Sequence, residues 1–454
     1  MSDDTTALAR RFPPGFLFGT ATAAYQIEGG HDADGKGPSI WDTFCRQPGA
    51  ISTGETGDVA CDHYHRWHGD VALMRDLGLS AYRMSISWPR VIRDGVGKPN
   101  EAGIAFYDQL VDALLENGIR PFVTLYHWDL PQALQDSGGW SSPETVGAFG
   151  RYADLIARRL GDRVHDWMTL NEPEVVAFAG HYVGVHAPGI HDFKTAVGVS
   201  HNLLLAHREA AAALRAARDD ARVGIALNLS PCDPATGAAG DADAARRMDG
   251  YLNRWFLDPL FGRGYPEDML ELYAPYFQRG HDLDGYDGNL DFLGVNYYTR
   301  RVVRAGDGPL RADRIEPEGA ERTAIGWEVH PASFRALLAR VHRDYAPRYM
   351  YITENGAAYY DAVIDDRVDD PARVGFLSRH FAAAAAAIAE GVPLRGYFIW
   401  TLMDNFEWAH GTSKRFGIVH TDYPTQRRRV KASGAWYRQL IAAYRGSRAT
   451  AAAK

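Results

Sequence analysis

Eight short strand-like segments alternate with helical segments along the chain, and this alternation restricts the fold more than any other feature. The strand-like runs lie at Phe16–Gly19, Ala81–Ser87, Arg120–Tyr126, Val164–Leu170, Val223–Leu229, Phe292–Tyr298, Tyr349–Thr353 and Gly396–Leu402. The helical patterns cover Tyr64–Leu77, Ala102–Asn117, Pro143–Leu160, Thr195–Ala217, Ala242–Leu257, Pro331–Tyr345, Pro371–Glu390 and Ser433–Tyr444. Strands joined by helical crossovers run parallel, which is consistent with a doubly wound open sheet or a closed barrel. The count of eight favours an α/β fold of the (β/α)8 TIM-barrel type.

The chain shows no division into separate domains. No low-complexity linker interrupts its 454 residues, and barrels with loop insertions reach this length. We therefore predict a single (β/α)8 barrel over residues 1–454, with elaborated βα loops and short flexible termini. The alanine-rich run Ala382–Ala387 is flanked by Phe381 and Ile388, which is typical of a helix packed closely on a barrel.

Composition and charge exclude several classes of function. A hydrophobic fraction of 46% and a charged fraction of 23% are ordinary for a globular protein. The net charge is −8 and no basic stripe occurs, so we expect no nucleic-acid partner. Residues 1–12 contain no apolar run, and the longest apolar stretch, Ala382–Ala389, is too short to cross a bilayer. We therefore expect no membrane association and a cytoplasmic location.

Cysteine and histidine positions give no sign of a metal or a cofactor. Cys45, Cys61 and Cys232 are too scattered for a disulfide framework, and reduced thiols suit a cytoplasmic protein. The segment Asp62–His68 is rich in possible ligands, but its histidines do not all share one helical face. No phosphate-binding loop or dinucleotide fingerprint follows a strand. The sequence predicts neither a metal nor a cofactor.

Two glutamates stand at the ends of strand-like runs. Thr169–Pro173 reads T-L-N-E-P, and Ile352–Gly356 reads I-T-E-N-G. In a barrel the C-terminal ends of the strands meet at one face, which brings Glu172 and Glu354 into one cleft. Either glutamate alone is compatible with an ordinary surface position. As a pair they suit glycoside hydrolysis, in which one carboxyl group protonates the leaving oxygen while the other attacks the anomeric carbon or activates water. The sequence does not give the distance between the two carboxyl groups, so it does not decide whether the anomeric configuration is retained or inverted.

Six motifs resemble those of glycoside hydrolase family 1, in the same order. They are F-L-F-G-T-A-T-A-A-Y-Q-I-E-G (Phe16–Gly29), H-W (His127–Trp128), T-L-N-E-P, N-Y-Y (Asn296–Tyr298), I-T-E-N-G and D-N-F-E-W (Asp404–Trp408). Together they span nearly the whole chain. The resemblance implies a retaining β-glycosidase, specifically a β-glucosidase, with Glu172 as acid/base and Glu354 as nucleophile.

The resemblance also implies which residues surround the sugar. Arg83 and Asn296 would support the carboxyl groups. The residues implied for glycosyl binding are Gln26, His127, Asn171, Tyr298, Trp400, Glu407 and Trp408. Trp400 would form the stacking floor. Such side chains suit a pyranose, because its hydroxyls both donate and accept hydrogen bonds while its C–H face matches an indole.

Glu407 indicates the substrate class. By resemblance, family members that act on 6-phosphoglycosides lack a glutamate at this position, and a carboxylate here would repel phosphate. We therefore predict hydrolysis of unphosphorylated β-glucosides and cello-oligosaccharides, with β-fucosidase or β-galactosidase side activity and transglycosylation. A 6-phospho-β-glycosidase and a non-catalytic sugar-binding barrel remain the alternatives.

The leaving-group side departs from the family pattern. Many relatives carry an aromatic residue after N-E-P, whereas this chain has an acidic one. The residues expected on this side are Glu174, Val175, His181, Trp327 and Phe416. Because an acidic side chain removes a stacking platform, the leaving-group preference of relatives does not transfer directly.

Overall fold

Eight parallel strands form a closed barrel within the part of the chain that the structure describes. The computed structural model describes residues 3–277, 283, 285–286 and 288–452. The barrel strands are Leu17–Ala21, Ala81–Ser85, Arg120–Tyr126, Asp166–Asn171, Arg222–Asn228, Phe292–Asn296, Met350–Asn355 and Leu394–Trp400. Each strand pairs with its neighbours in chain order, and the first closes the barrel against the eighth, with Leu17 opposite Gly396. The predicted (β/α)8 barrel is confirmed.

The predicted strands all occur, with ends shifted by no more than two residues. The eighth strand is shifted by two residues at both ends, because it covers Leu394–Trp400 rather than Gly396–Leu402. Leu394 lies opposite Met350 of the seventh strand, and this pairing extends the strand backwards. The exposed Arg395 and the following glycine weaken the β pattern there. The sequence pattern therefore places the start of this strand two residues too late.

A long helix follows each barrel strand. These helices are His63–Leu77, Glu101–Glu116, Pro143–Leu160, Phe193–Ala217, Ala239–Asp249, Pro331–Tyr345, Pro371–Ala389 and Ala432–Ala452. Pro143–Leu160 begins as its sequence predicts. The Ser142 hydroxyl accepts a hydrogen bond from the Glu144 backbone N–H at 3.2 Å, and Pro143 occupies the first helical position.

The predicted helix Ala242–Leu257 is present but interrupted. The structure divides this region into the α-helix Ala239–Asp249, the π-helix Gly250–Arg254 and the α-helix Trp255–Leu260. A π-helical turn accommodates an extra residue, which hydrophobic periodicity does not predict. A second π-helix covers Val175–Ala179, and the Phe178 ring lies 4.5 Å from the Tyr251 ring. The two irregular segments therefore contact each other.

Shorter elements precede the first strand and occupy the loops between the barrel units, as expected for elaborated βα loops. The short helices are Asp3–Ala9, Ala24–Ile27, Ala33–Gly35, Ile40–Phe44, Trp88–Val91, Gln132–Asp136, Gly139–Ser141, Glu267–Tyr273 and Trp408–Ser413. Outside the barrel, Arg301–Ala305 pairs with Cys232–Pro234 and Ala312–Ile315, and Val419–Asp422 pairs with Arg427–Val430.

The alanine-rich helix packs directly on the barrel. Phe381 stacks on Tyr397 of the eighth strand, with ring centroids 4.0 Å apart, and Ala384 and Ala385 are buried. Small side chains allow this close approach of helix and sheet. Among the described residues, no helix is long and apolar enough to cross a membrane. The predicted flexible termini fall partly on residues 1–2 and 453–454, which lie outside the described residues.

Candidate active site

Glu172 and Glu354 line one cavity of about 320 Å³ at the C-terminal end of the barrel strands. Glu172 directly follows the fourth strand, Asp166–Asn171, and Glu354 lies near the end of the seventh, Met350–Asn355. Their residues are only 4% and 3% exposed. The barrel therefore brings together two carboxyl groups that are 182 positions apart in the chain (354 minus 172).

Glu354 is held by a cation and a phenol. Arg83 Nη1 donates a hydrogen bond to Glu354 Oε1 at 2.5 Å, and the Tyr298 hydroxyl donates to Oε2 at 2.5 Å. The pKa of Glu354 lies above its ordinary value, because burial raises it by more than the charge of Arg83 and the hydrogen bond from Tyr298 lower it. Both carboxylate oxygens accept hydrogen bonds, and these contacts offset part of the cost of ionising the buried group.

Glu172 lies in a different environment. Its Oε1 accepts a hydrogen bond from the neutral amide of Asn296 at 2.6 Å. Burial and, after it, the negative charge of Glu354 raise the pKa of Glu172 well above its ordinary value. Glu172 therefore favours the protonated form while Glu354 is ionised.

A buried hydrogen-bond network connects the two carboxyl groups. Asn171 Oδ1 accepts hydrogen bonds from Arg83 Nη2 at 2.6 Å and from Asn296 Nδ2 at 3.0 Å. Asn296 Oδ1 in turn accepts from the Thr353 hydroxyl at 2.6 Å. Residues from four barrel strands thereby fix the positions of the groups that contact Glu172 and Glu354.

His127 is oriented by the same network. Asn171 Nδ2 donates to His127 Nε2 at 3.0 Å, which places the ring proton on Nδ1. Nδ1 is buried and has no hydrogen-bond partner within the described structure. The imidazole lies nearly parallel to the rings of Trp400 and Trp408, with centroids 5.8 and 5.9 Å away. His127 therefore has a hydrogen-bond donor free for a ligand beside two indoles.

Gln26 and Glu407 form another polar part of the site. Gln26 Nε2 donates to the Phe406 carbonyl at 2.9 Å, to Asn405 Oδ1 at 3.2 Å and to Glu407 Oε2 at 3.4 Å. Burial and, after it, the charge of Glu354 raise the pKa of Glu407 to about 8. The raised pKa extends the pH range over which Glu407 keeps its proton, and the protonated carboxyl group can donate a hydrogen bond as well as accept one.

Backbone strain is concentrated around this cavity. Trp128, Glu172 and Trp408 have φ values of +80°, +48° and +46°, in the left-handed region that side chains other than glycine rarely adopt. All three residues line the cavity. Strained conformations persist where the surrounding structure enforces them, and they cluster at functional sites.

The structure brings most of the predicted leaving-group residues into the same cavity. Trp327 is half-buried, and its ring lies 5.0 Å from that of Tyr298 and 6.1 Å from that of Phe416. The residues of this group that line the cavity are Glu174, Val175, Trp327 and Phe416.

His181 is placed elsewhere. It is buried outside the residues that line the cavity, and its Nδ1 lies 2.9 Å from the Val176 carbonyl oxygen. His181 lies two positions after the π-helix Val175–Ala179, so this contact joins the end of the segment to a carbonyl group within that helix. Hydrophobic periodicity does not indicate a π-helical turn, and such a turn rotates the residues after it relative to an α-helix.

Several lining residues were not predicted. Trp128 belongs to the H-W motif, and its Nε1 donates to the Asn171 carbonyl at 3.0 Å. Arg301 begins a strand outside the barrel, only three positions after Tyr298, and this proximity in sequence was the available signal. The other unpredicted lining residues include Val185, His186, Asn228, Ser230, Thr299, Ile325 and His410.

The histidine-rich segment near the N-terminus forms local pairs. His63 Nδ1 lies 2.8 Å from Asp70 Oδ2, and His65 Nδ1 lies 2.6 Å from Asp62 Oδ1. Across the described residues, no group of three or more His, Cys, Asp or Glu side chains is arranged to hold a metal ion.

Comparison with known proteins identifies the family. The sequence model of glycosyl hydrolase family 1 matches residues 8–445. Beta-glucosidase A from Thermotoga maritima is 47% identical over 95% of this chain and 98% of its own length. A bifunctional beta-D-glucosidase/beta-D-fucosidase from Bifidobacterium breve is 43% identical, over 95% of this chain and 98% of its own. The solved Thermotoga maritima beta-glucosidase in complex with glucoimidazole superposes with a TM-score of 0.93 at 47% identity, covering 95% of this chain and 99% of that one. The chain belongs to glycosyl hydrolase family 1, as its motifs predicted.

Proposed function

We propose that Glu354 is the nucleophile and Glu172 the acid/base of a retaining β-glucosidase. The observation that carries this proposal is the asymmetry between two buried glutamates in one cavity. Arg83 and Tyr298 donate to Glu354, whereas a neutral amide donates to Glu172. A double displacement needs this difference, because one carboxyl group must attack as an anion while the other gives up a proton.

The activity itself was predicted from the sequence and is confirmed by the family and its relatives. Family 1 enzymes are retaining β-glycosidases, and the similar proteins from Thermotoga maritima and Bifidobacterium breve are β-glucosidases. The substrates are accordingly small-molecule β-glycosides. For this chain we infer terminal β-D-glucosyl residues of cello-oligosaccharides as substrates, with β-fucosides as a side activity.

In the first step the glycosidic bond is exchanged for an ester. A Glu354 oxygen attacks the anomeric carbon and the bond from that carbon to the leaving oxygen breaks. The proton of Glu172 passes to the leaving oxygen, so the aglycone departs as a neutral alcohol. The ion pair with Arg83 stabilises the attacking carboxylate, and Tyr298 orients it.

In the second step water releases the sugar. Once Glu354 is esterified its negative charge is lost, and with it the main electrostatic cause, after burial, of the raised pKa of Glu172. Glu172 then accepts a proton from the attacking water, and Glu354 leaves as a carboxylate. Both glutamates return to their starting states with retention at the anomeric carbon.

We infer that the cavity binds the glucosyl unit through the predicted residues. His127 offers a free N–H, and Glu407 can donate and accept. Trp400 and Trp408 line the cavity, where Trp400 supplies the stacking floor for the C–H face of the sugar. Asn171 and Gln26 are not among the lining residues, but Asn171 directly precedes Glu172, where it suits the 2-hydroxyl, and Gln26 donates to Glu407.

A 6-phosphoglycoside is a weaker candidate substrate. The cations nearest in sequence to Glu407 are engaged elsewhere: Lys414 Nζ donates to the Ala324 carbonyl at 2.8 Å, and Arg415 donates to Asp404 at 2.8 Å. Glu407, which would face the 6-position, carries no positive charge in either protonation state. A phosphate there would lack the charge-assisted donors it needs.

We further propose that residues 1–454 form one catalytic domain that works in the cytoplasm. One buried apolar cluster extends from Leu8 to Tyr444, which supports a single domain. Cys45, Cys61 and Cys232 are all free thiols, which supports a reducing compartment.

The activity is tested with 4-nitrophenyl β-D-glucoside. We expect release of nitrophenol between pH 5 and 8, about the range over which an ionised and a protonated glutamate coexist in such a site, and no release from the 6-phosphorylated analogue. A sugar-binding protein without catalysis would release nothing above background from either compound, and a 6-phospho-β-glycosidase would turn over only the phosphorylated one.

A further inference from the structure

One wall of the cavity is polar and is formed by residues other than those proposed to bind the glucosyl unit. This wall consists of Glu174, Asn228, Ser230, Thr299 and Arg301. Glu174 follows Glu172 by two positions, and the acid/base must face the leaving oxygen. The polar wall therefore adjoins the leaving group rather than the glucosyl unit.

The guanidinium of Arg301 makes no hydrogen bond to any other described residue. Its Nη1 is buried and unbonded in the part of the chain that the structure describes. The preceding Arg300, in contrast, donates to Glu328 at 2.9 and 3.0 Å and to Asp233 at 3.0 Å. A buried donor that lacks a partner costs free energy. The unsatisfied guanidinium lines the cavity, where a ligand can accept its hydrogen bond.

Glu174 belongs to the same polar wall as Arg301 and carries the opposite kind of group, a hydrogen-bond acceptor. Its side chain is 9% exposed and interacts electrostatically with Arg301, but no ion pair joins the two among the described residues. Burial raises the pKa of Glu174 to about 7, while the charge of Arg301 lowers it. An acceptor and a donor thus face one cavity without satisfying each other.

The two π-helices position Glu174. It directly precedes Val175–Ala179, and Tyr251 of the second π-helix, Gly250–Arg254, lies near enough to lower the pKa of Glu174. The Phe178 ring packs against the Tyr251 ring, so the two π-helical segments are in contact. π-helical turns are frequently found at functional sites, and here both adjoin the polar wall.

We propose that Glu174 and Arg301 bind the first leaving-group sugar of a cello-oligosaccharide, a neutral and hydroxyl-rich unit. This proposal rests on the proposed β-glucosidase function and names its leaving-group class. A sugar hydroxyl can donate to Glu174 and accept from Arg301 at the same time. An aglycone of either charge would be attracted by one of these side chains and repelled by the other, whereas a neutral polyol can form hydrogen bonds with both.

The test compares cellobiose with 4-nitrophenyl β-D-glucoside, which share the glucosyl unit and differ only in the leaving group. In Arg301→Met and in Glu174→Gln we expect the ratio of kcat/KM for cellobiose to that for the aryl glucoside to fall at least about tenfold, the loss typical of a hydrogen bond to a charged group. A rise in KM for cellobiose should account for most of the change, because these contacts bind substrate and transition state alike.

Arg304→Met is the matched control. Arg304 lies on the same strand, Arg301–Ala305, but is exposed and does not line the cavity, so its substitution should leave the ratio unchanged. The ratio is independent of the fraction of folded enzyme, so poor folding of a variant does not obscure the result.

Two outcomes would overturn the proposal: an equal loss on both substrates in Arg301→Met and Glu174→Gln, which leaves the ratio unchanged and indicates a structural role, or wild-type kcat/KM on both substrates in either variant. Failure of the wild-type protein to hydrolyse the aryl glucoside would instead refute the proposed function.

Discussion

Arg83 and Glu354 form an ion pair at 2.5 Å with both side chains almost completely buried. The same guanidinium donates from Nη2 to Asn171 at 2.6 Å. A single arginine on the second barrel strand therefore orients the proposed nucleophile and the amide that adjoins Glu172. This arrangement links the ionisation of Glu354 to the geometry of the whole site.

Replacing Arg83 should impair both stability and activity. In Arg83→Met we expect kcat/KM for aryl glucosides to fall by about 10²-fold or more, as when a preorganised charged donor is lost, and the free energy of unfolding to fall by about 3 kcal/mol. Both losses follow from leaving Glu354 buried without its cation. Steady-state kinetics and urea unfolding measure the two effects. Arg83→Lys, which keeps the charge, should lose less of each, and a fully active Arg83→Met would contradict the assignment.

Removal of the nucleophile should be rescued by a small anion. Glu354→Gly should lower kcat by at least about 10⁴-fold, because the covalent step is lost. Formate can occupy the vacated space and attack the anomeric carbon in place of the carboxylate. The rate of aryl glucoside cleavage should therefore rise with formate concentration in the variant and not in the wild type. A Glu354→Gly variant with near wild-type turnover would assign the nucleophile to another residue.

Loss of the acid/base should depend on the leaving group. Glu172→Ala should retain the first step for 2,4-dinitrophenyl β-glucoside, which needs no protonation, but stall hydrolysis of the glycosyl-enzyme. Azide needs no general base, so it should accelerate turnover of this variant and give a β-glucosyl azide. Product analysis by NMR checks the configuration. If azide neither accelerated the reaction nor appeared in the product, Glu172 would not be the base.

Asp129 should make stability depend on pH. It is 1% exposed, and neither carboxylate oxygen has a hydrogen-bond partner in the described structure. Burial raises its pKa from 3.8 to about 8. Between these two values the folded state binds a proton that the unfolded state releases, so this group makes stability fall as pH rises, by up to about 1.4 kcal/mol per pH unit.

The test is to compare Asp129→Asn with the wild type by thermal unfolding at several pH values. The amide cannot ionise, so the variant should gain stability relative to the wild type as the pH increases from 5 to 8, about the window that the two pKa values define. A stability difference that is constant over this range would show that Asp129 does not change its protonation there. Glu144→Gln, at an exposed helix start, serves as the control for charge removal alone.

The barrel and the position of Glu172 and Glu354 in one cavity were predictable because they depend on strong local signals. Strand-like runs ending in N-E-P and T-E-N-G fix where the chain leaves the barrel, and parallel strands bring those ends to one face. The positions of Glu172 and Glu354 in one cavity therefore follow from topology. The tryptophans and Glu407 required the family motif, because packing and sugar binding use the same residue types.

The leaving-group side could not be predicted in full because it depends on irregular backbone. The π-helix after Glu174 alters which residues face the cavity, so His181 lies outside it. Arg301 reaches the cavity from a strand outside the barrel that pairs with Cys232–Pro234. Neither relationship has a periodic sequence signal, since both arise from tertiary contacts between loops.

The most direct test of the account is to trap the glycosyl-enzyme. A 2-deoxy-2-fluoro-β-glucosyl fluoride slows both steps but provides a leaving group good enough for the first, so the intermediate accumulates. Mass spectrometry of the intact protein and of its peptides should show one fluoroglucosyl group per chain, attached to Glu354, and none on a Glu354→Gln variant. Attachment to another residue, or the absence of any covalent adduct from an enzyme that hydrolyses aryl glucosides, would contradict the proposed roles of Glu354 and Glu172.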